Sequence, residues 1–326
     1  MIVDQVVTTR RGGPEVLEPR QTRLDRDPRK VLVRVAAAGV GPADIEMMRG
    51  RFYAQPKFPF VSGYDLVGHV EDGRPGLVAA MPRIGAWASA VEVDAATVVP
   101  VPDEVDPAVA VALVTNGVTA WQLAHRVAGV QPGHTVLVHG ASGSVGALLT
   151  QFALLAGAKV IGTASAANLA KVASLGATPV DYRSDVSAQV RTRAPAGVDV
   201  VFDHLGGRAL TRSYRLLARG GTVVSYGAAS TVDQSGPAFL PYLGMAARVA
   251  AWEARRFLGL GRGRRARLYN VTPNARFRED LTKVFTLAAA KTITVEVTRY
   301  PLREASTAVR DLLDKSVQGK AVLVPG

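Results

Sequence analysis

The 326-residue sequence contains no cysteine. This absence excludes disulfide bonds, zinc sites with cysteine ligands and catalysis by a thiol nucleophile, and it leaves the redox compartment open. The five histidines show no H-x-x-x-H spacing and no recognisable grouping with a hydroxyl nucleophile and an acid. The sequence therefore predicts no metal site and offers no motif for covalent catalysis.

Long hydrophobic runs are also missing. No segment reaches the ~18 consecutive apolar residues that a membrane span needs. The first residues, MIVDQVVTTRRGG, lack the basic region and apolar core of a signal peptide. Apolar residues make up 48% and charged residues 20% of the chain, which is the composition of a globular protein with room for two domains. We therefore expect a soluble, cytoplasmic protein with no membrane span.

Acidic residues are scarce relative to basic ones, and the formal net charge is +12. Much of the excess positive charge lies in the arginine-rich segment at 248–267. This segment has a single acid, Glu253, and seven arginines: Arg248, Arg255, Arg256, Arg262, Arg264, Arg265 and Arg267. Three interpretations compete: a solvated surface, a docking face for an acidic carrier protein or an anionic membrane surface, and a nucleic-acid patch. The solvated surface is the most favoured, and nucleic acid is an unfavoured partner because aromatic residues are sparse in the segment.

A glycine-rich turn is the most informative feature that is present. An apolar run at Val136–Val138 is followed by the letters GASGSVG at 140–146, then by a helical pattern and a second apolar run at Lys159–Thr163. This strand–turn–helix–strand order is the context of a dinucleotide fingerprint. Small residues there let the backbone approach a pyrophosphate, whose charge is held at the helix start. The alternative is an ordinary glycine-rich turn without a ligand.

The second strand bears on the choice of cofactor. An NAD site usually carries Asp or Glu about 20 residues past the first glycine, hydrogen-bonded to the ribose 2′-hydroxyl. Here the strand ends Gly162-Thr163-Ala164-Ser165, and no acid occurs between Asp106 and Asp181. A carboxylate would repel a 2′-phosphate, whereas hydroxyl groups can donate to it. The sequence therefore predicts NADPH, although no cation follows before Lys171.

The pattern along the chain indicates two domains. The first third alternates extended runs with proline- and glycine-rich loops, which is typical of a mainly β domain. From Thr135 onwards strands and helices alternate, which predicts an α/β fold with a doubly wound parallel sheet. Near the end we predict a helix at Phe277–Ala290, a strand at Thr292–Val297 and a last strand at Ala321–Val324. Residues 1–116 and 291–326 are assigned to one domain and 117–290 to the nucleotide-binding domain.

The order of motifs resembles the medium-chain dehydrogenase/reductase superfamily, and within it the zinc-free quinone oxidoreductase and enoyl reductase branch. The segments that carry the resemblance span nearly the whole chain: AAAGVGPADIEMMRGRFY, FPFVSGYDLVG, NGVTAW, VQPGHTVLVHGASGSVG, SLGATPVDYR, VFDHLGG, GGTVVSYG and GKAVLVP. The resemblance implies a Rossmann-type sheet inserted in a mainly β, GroES-like catalytic domain, and a homodimer. Zinc-dependent relatives place metal ligands where this chain has Gly63-Tyr64-Asp65.

The resemblance also implies a set of cofactor contacts. Ser144 and Val145 would meet the pyrophosphate at the helix start, with Ser142 and Gly143 as cofactor-binding residues of the same turn. Thr163, Ser165 and Tyr182 would lie near the adenosine 2′-phosphate. Thr119 would lie beside the nicotinamide. Tyr226 and Gly227 would line the far side of the cofactor. Two of these have structural alternatives: Tyr182 as a packed strand-end tyrosine and Thr119 as a hydroxyl bonded to its own helix backbone.

Hydride transfer from a nicotinamide needs no protein nucleophile, but reduction of a conjugated carbon–carbon double bond also needs a proton. The candidate donors on the substrate-side loops are Tyr53, Asp44 and Tyr64. Asp44 has a structural alternative, in which it accepts backbone N–H bonds in a proline-containing turn. Tyr53 also has a structural alternative, as an aromatic side chain packed in its loop. For His204, a structural role at the end of a strand is favoured over a position facing the cofactor.

The chain departs from its relatives at several positions. They commonly read V-N-P-x-D-x-Y in the substrate loop, and here Gly41 stands for the Asn and Glu46 for the Tyr, while Asp44 is kept. Ser62 replaces a usual Pro, and Ala167 replaces a frequent Lys that serves the 2′-phosphate. These changes remove two groups that could orient a ligand.

The leading hypothesis is an NADPH-dependent, zinc-independent reductase of a small-molecule quinone or α,β-unsaturated carbonyl (enone). One alternative is a tailoring enoyl reductase that acts on an acyl chain bound to an acidic carrier protein. Another is a catalytically weakened NADPH-binding protein.

Overall fold

The computed structural model describes residues 1–52, 54–71, 75–231 and 240–326. Its strands are β1 (Ile2–Thr8), β2 (Leu17–Arg23), β3 (Val31–Val40), β4 (Phe60–Val61), β5 (Leu66–Val70), β6 (Leu77–Ala80), β7 (Ala90–Val93), β8 (Val99–Val101), β9 (Thr135–Val138), β10 (Lys159–Ala164), β11 (Thr178–Asp181), β12 (Val198–Asp203), β13 (Leu217–Ser225), β14 (Arg265–Leu268), β15 (Val297–Pro301) and β16 (Lys320–Val324). Its α-helices are α1 (Pro42–Met48), α2 (Pro107–Trp121), α3 (Ser144–Leu155), α4 (Leu169–Ser174), α5 (Val186–Arg193), α6 (Gly207–Leu216), α7 (Leu240–Phe257), α8 (Ala275–Ala289) and α9 (Ala305–Leu313).

The chain divides into two compact units. The first unit comprises Met1–Val118 and Val271–Gly326, and the second comprises Thr119–Asn270. The boundaries expected from the sequence were 116/117 and 290/291. Helix α8, which the sequence assigned to the nucleotide-binding domain, therefore belongs to the first unit. There it packs beside β8, and Arg278 donates to the carbonyl of Ala96 at 2.6 Å.

The second unit is built on a parallel sheet. Its strand order is β11-β10-β9-β12-β13-β14, and every pair of neighbours is parallel. This is the 3-2-1-4-5-6 order of a Rossmann fold. The central strands are continuous apolar runs such as Val136–Val138, which are completely buried, as expected where helices cover both faces of a parallel sheet. The predicted doubly wound sheet is confirmed.

The first unit is mainly β. One sheet has the order β15-β16-β3-β5-β6-β8, with β7 also paired to β3, and a second has the order β2-β1-β4. Trp87 is fully buried in this core, and its indole N–H donates to the carbonyl of Gly39 at 2.9 Å. The antiparallel pairing of β16 with β3 places Ala321 opposite Val40. The pairing thereby brings Lys320, the first residue of β16, beside the loop that follows β3.

One local prediction was wrong, and one strand was not predicted. The sequence predicted a strand at Thr292–Val297, but β15 begins only at Val297. The sequence analysis did not predict β14, whose letters RARL do alternate between polar and apolar but form a run of only four residues inside the arginine-rich segment. The sequence also predicts helix at 107–114 and 118–127, and α2 together with the π-helical segment at Gln122–Val127 covers both ranges and the residues Thr115-Asn116-Gly117 between them. Helix α2 runs through this site, and Gly117 serves close packing there, since a Cβ on it would lie 2.9 Å from Cγ1 of Val284.

Among the described residues, one helical stretch is long and apolar enough to pass a test for a membrane span. It runs from Pro107 to Val127, combining α2 with a π-helical segment at Gln122–Val127, and its mean hydropathy is 1.2. However, 67% of it is buried inside the protein, as in the core helix of a soluble protein. It is therefore weak evidence for a membrane span.

Candidate functional site

The glycine-rich turn joins β9 to α3, and its small residues are required by close packing. Gly140 has a φ of +66°, a conformation that suits glycine. A Cβ on Gly146 would lie 2.1 Å from the carbonyl oxygen of Gly140. Because that oxygen belongs to the backbone, the first turn of α3 can rest against the turn only if residue 146 has no side chain.

The start of α3 offers backbone donors. The amide of Gly143 donates to Gly140 at 3.0 Å, and the first α-helical bond runs from Ala147 to Gly143 at 2.8 Å. Val145 and Gly146 lie in the first turn, where helix geometry supplies no carbonyl for their N–H groups. The N-cap residue Gly143 provides no side-chain cap. The arrangement has the positive helix end and the N–H donors of an anion site, which fits the pyrophosphate of a dinucleotide.

A buried hydrogen-bond chain holds the other side of the turn. Ser213 donates its hydroxyl to Oδ2 of Asp203 at 2.6 Å, so its oxygen accepts from Nε2 of His139 at 3.0 Å. Nδ1 of His139 is then the acceptor, and it receives the hydroxyl of Thr163 at 3.4 Å. The Thr163 oxygen in turn accepts the amide of Gly140 at 3.1 Å. The chain thus connects the ends of β9, β10 and β12 with α6.

This chain requires a neutral imidazole, and the environment supplies one. Burial lowers the pKa of His139 to about 4, with the carboxylate of Asp203 opposing the shift. The second carboxylate oxygen, Oδ1, accepts the amides of Leu205 and Gly206 at 2.9 and 2.8 Å. Asp203 therefore fixes both the hydrogen-bond chain and the loop after β12. No local pattern in the sequence connects Asp203 and Ser213 with the turn, although His139 directly precedes it.

The three residues expected near a 2′-phosphate differ in their exposure. Thr163, which the resemblance implies near the 2′-phosphate, is buried and uses its hydroxyl inside the turn. Ser165 is only partly buried and accepts from the side-chain amide of Asn168 at 3.2 Å. Tyr182 is exposed, unlike a packed strand-end tyrosine, and its amide donates to Ala164 at 3.0 Å. Ser165 and Tyr182 therefore follow adjacent strands at one edge of the sheet.

The loop after β13 places Tyr226 and Gly227 next to the loop after β12. The amide of Tyr226 donates to the carbonyl of Asp203 at 3.0 Å, and its ring centroid lies 6.0 Å from that of His204. Burial raises the pKa of Tyr226 and lowers that of His204, and both groups are therefore neutral at physiological pH. A Cβ on Gly140 would lie 2.6 Å from Cε1 of His204, so this ring lies against the glycine-rich turn. The remaining candidate, Thr119, is buried in α2.

The substrate-side candidates belong to the first unit. Oδ2 of Asp44 accepts the amide of Gly41 at 2.8 Å, and Oδ1 accepts the amide of Gly63 at 3.2 Å. These are the contacts of the structural alternative for Asp44. Tyr64 is buried, with its ring edge-on to Phe52 at 6.3 Å. The third candidate, Tyr53, lies outside the described residues.

Two charged residues that the sequence did not select lie beside Asp44. Nζ of Lys320 is 3.7 Å from Oδ2 of Asp65, and both side chains are buried. The carboxylate oxygens of Asp65 have no hydrogen-bond partner among the described residues. A Cβ on Gly41 would lie 3.4 Å from Nζ of Lys320, so the buried ammonium lies close to this part of the backbone. The motifs GYD and GKAVLVP contained this pair, but only the fold joins them.

The buried cluster shifts the pKa of Asp44. Burial raises this pKa from 3.8 to about 7, with Lys320 and the two amide bonds opposing the shift and Asp65 adding to it. No group of three or more His, Asp or Glu side chains in the described ranges has the arrangement of a metal site.

Comparison with known proteins assigns the family. Residues 27–103 match the alcohol dehydrogenase GroES-like domain, and residues 175–323 match the zinc-binding dehydrogenase family. The quinone oxidoreductase of Salmonella typhimurium is 30% identical over 331 residues, which cover 96% of this chain and 97% of that protein. The chain belongs to the quinone oxidoreductase branch of the medium-chain dehydrogenase/reductase superfamily. The predicted family and its GroES-like and Rossmann-type domains are confirmed.

Further known proteins are similar to this chain in sequence or structure. The synaptic vesicle membrane protein VAT-1 homolog of Homo sapiens is 33% identical over 214 residues, 62% of this chain and 54% of that protein. This chain spans about half the length of VAT-1 homologs, or less. A mycobacterial structure described as a complex with NADPH is 28% identical, with a TM-score of 0.80 over 99% of this chain and 100% of that one.

The packing of the turn leads to a stability prediction for this quinone oxidoreductase relative. Gly146→Ala should lower the free energy of unfolding of the second unit by about 1–3 kcal/mol, because the new methyl group meets a backbone oxygen. Urea unfolding measures the change. The matched control is Gly244→Ala in α7, where a Cβ would have no neighbour within 4 Å and should not destabilise the chain. Equal stability of the two variants would contradict the close packing.

Asp44 generates a pH prediction. Its pKa is about 7 when folded against an ordinary 3.8, so the folded chain keeps a proton that the unfolded chain loses within this window. The contribution of Asp44 to the free energy of unfolding should therefore fall as pH rises from about 4 to 7, by at most about 4 kcal/mol, whereas buried His139, with its lowered pKa, contributes with the opposite sign in this window. Asp44→Asn should remove the falling contribution, so the free energy of unfolding measured in urea should rise more, or fall less, with pH than in the wild type. The surface variant Asp25→Asn should keep the wild-type profile, and parallel profiles for wild type and Asp44→Asn would refute the assignment.

Proposed function

We propose that the protein is an NADPH-dependent, zinc-independent reductase of quinones or α,β-unsaturated carbonyl compounds. One observation carries the proposal. At the carboxyl ends of β9 and β10, the uncapped start of α3 lies beside hydroxyl-bearing residues such as Ser165, and no acid follows β10 until Asp181. The relatives named quinone oxidoreductase and the related structure described with NADPH support it.

The residues of the turn fit a dinucleotide. The amides of Val145 and Gly146 would hold the pyrophosphate, with Ser142, Gly143 and Ser144 beside it. When bound, NADPH supplies a hydride for the substrate. Ser165 and Tyr182 would bind the 2′-phosphate, whereas Thr163 would act indirectly by fixing the amide of Gly140. The hydrogen-bond chain through His139 keeps this geometry without a charge on the imidazole.

The proton for the product is assigned to the first unit. Asp44 already accepts two backbone N–H bonds, so its carboxyl group is poorly placed to turn toward a substrate. Of the described candidates, Tyr64 is therefore the proposed donor. A phenol at this position would transfer its proton to the carbon or oxygen that becomes basic after hydride arrives.

The cofactor proposal is tested by fluorescence titration of the nicotinamide. NADPH should bind at least about tenfold more tightly than NADH, because hydroxyl donors favour the 2′-phosphate. Ser165→Asp should remove this preference by like-charge repulsion, and Ala167→Lys should increase it. Ser187→Asp, in the first turn of α5, is the matched control and should leave both affinities unchanged. Tighter binding of NADH to the wild type would overturn the NADPH proposal.

The reaction is tested by following NADPH oxidation with a panel of enones and quinones. Turnover should be seen with the wild type, and Tyr64→Phe should lower kcat about a hundredfold without changing the Kd for NADPH. An unchanged kcat in this variant would exclude Tyr64 as donor. NADPH binding without turnover on any substrate would contradict the reductase proposal and favour the catalytically weakened binding protein.

A further inference from the structure

Arg83 combines two unfavourable features. Its φ is +74°, in the left-handed region that favours glycine. Its Nε is buried and has no hydrogen-bond partner among the described residues, although the residue as a whole is only partly buried. A strained backbone and an unpaired buried donor both cost stability. Residues that keep such features are found preferentially where a protein binds a ligand.

Two other basic residues show that a left-handed conformation by itself does not indicate a site. Lys291 and Lys315 have φ values of 55° and 60°, and both are exposed. They directly follow the C-cap residues of α8 and α9, where this conformation is a common way to end a helix. Arg83 follows strand β6 and ends no helix, so its conformation has no such explanation.

The loop that carries Arg83 runs alongside the residues around Tyr64. The amide of Arg83 donates to the carbonyl of Tyr64 at 3.1 Å, and the amide of Ala86 donates to that of Gly63 at 3.2 Å. The amide of Trp87 donates to the carbonyl of Ser62 at 2.9 Å. Arg83 is therefore a backbone neighbour of the residue proposed as the proton donor.

The acids of this part of the fold are bound to other groups. Asp44 accepts two backbone amides, and Oδ2 of Asp65 lies 3.7 Å from Nζ of Lys320. Within the described ranges, no carboxylate forms an ion pair with Arg83. Its charge and its fork of N–H donors are therefore left for a ligand.

We propose that Arg83 binds a carboxylate group of the substrate, so that the preferred substrates are α,β-unsaturated carbonyl compounds that carry a carboxylate. A guanidinium donates two parallel N–H bonds to a carboxylate, and one carboxylate balances its single charge. The inference rests on the proposed function, because it assigns the class of compound that the reductase reduces.

The carboxylate itself is not changed in this reaction. The carbon–carbon double bond gains a hydride from NADPH and one proton, which gives the saturated keto acid and NADP⁺. Binding of the carboxylate at Arg83 fixes one end of the substrate and so restricts the positions that the double bond can take beside Tyr64. Arg83 is thus assigned as a residue that determines substrate specificity.

The test uses the full chain and a matched pair of probes, benzoylacrylic acid and its methyl ester. Both contain the same enone, but only the acid carries a negative charge at neutral pH. With the wild type, the KM should be lower for the acid. Arg83→Gln should lower the ratio of kcat/KM for the acid to kcat/KM for the ester at least about tenfold, mainly by raising the KM for the acid.

Two variants separate the guanidinium from other effects of substitution. Lys315→Gln is the matched control, since it removes a positive side chain from another left-handed position of the same unit, and it should leave the ratio unchanged. Arg83→Lys keeps the charge without the planar fork, and it should restore only part of the ratio. A ratio that falls equally in Lys315→Gln and Arg83→Gln would overturn the assignment.

A calorimetric titration with benzoylpropionic acid, the saturated product, tests the site without turnover. The wild type should bind this acid more tightly than its methyl ester, and Arg83→Gln should bind the two alike. This result together with no turnover of any enone would reject the proposed function and keep the assignment of Arg83. Turnover with a ratio that Arg83→Gln does not change would keep the proposed function and overturn the assignment.

Two further results would also overturn the assignment. One is a wild type that does not prefer the acid to the ester in the titration. The other is a weaker Kd for NADPH in Arg83→Gln, which would assign the guanidinium to a phosphate of the cofactor instead of a carboxylate of the substrate.

Discussion

The contact between the start of α3 and the carbonyl of Gly140 is the constraint on which the second unit depends. Only a residue without a side chain at 146 allows it. Once the helix lies this close, its first amides point out at the end of β9, and the turn has little freedom to move. The fingerprint is therefore a packing requirement first and a binding motif second.

Buried polar side chains also stabilise the glycine-rich turn. Asp203, Ser213, His139 and Thr163 form one directed chain that ends on the amide of Gly140. Each member is buried, and each donates or accepts in only one consistent direction, because the carboxylate at one end can only accept. A neutral His139 is thus built into the turn, and the hydroxyl of Thr163 is hydrogen-bonded within it.

The first unit handles buried charge differently. Lys320 lies at 3.7 Å from Asp65, and the two oxygens of Asp65 have no hydrogen bond within the described residues. Burial raises the pKa of Asp44 to about 7, and the charges of Lys320 and Asp65 shift this pKa in opposite directions. A buried group of this kind costs stability unless its charges are balanced. Its raised pKa makes it favour the folded state at low pH, whereas the lowered pKa of His139 makes the hydrogen-bond chain of the second unit favour the folded state at higher pH. The two units thus differ in how their buried polar groups are satisfied.

The sequence alone determined the family, the parallel sheet and the place of the glycine-rich turn, because these depend on local patterns within about 30 residues. The sequence also shows directly that no acid follows β10 before Asp181. The tertiary structure decided which hydroxyl is buried: Thr163 lies inside the turn, and Ser165 is partly exposed. It also joined Lys320 to Asp65 by pairing β16 with β3, and it placed α8 in the first unit. These results depend on contacts between residues far apart in the chain, and no local pattern specifies such contacts.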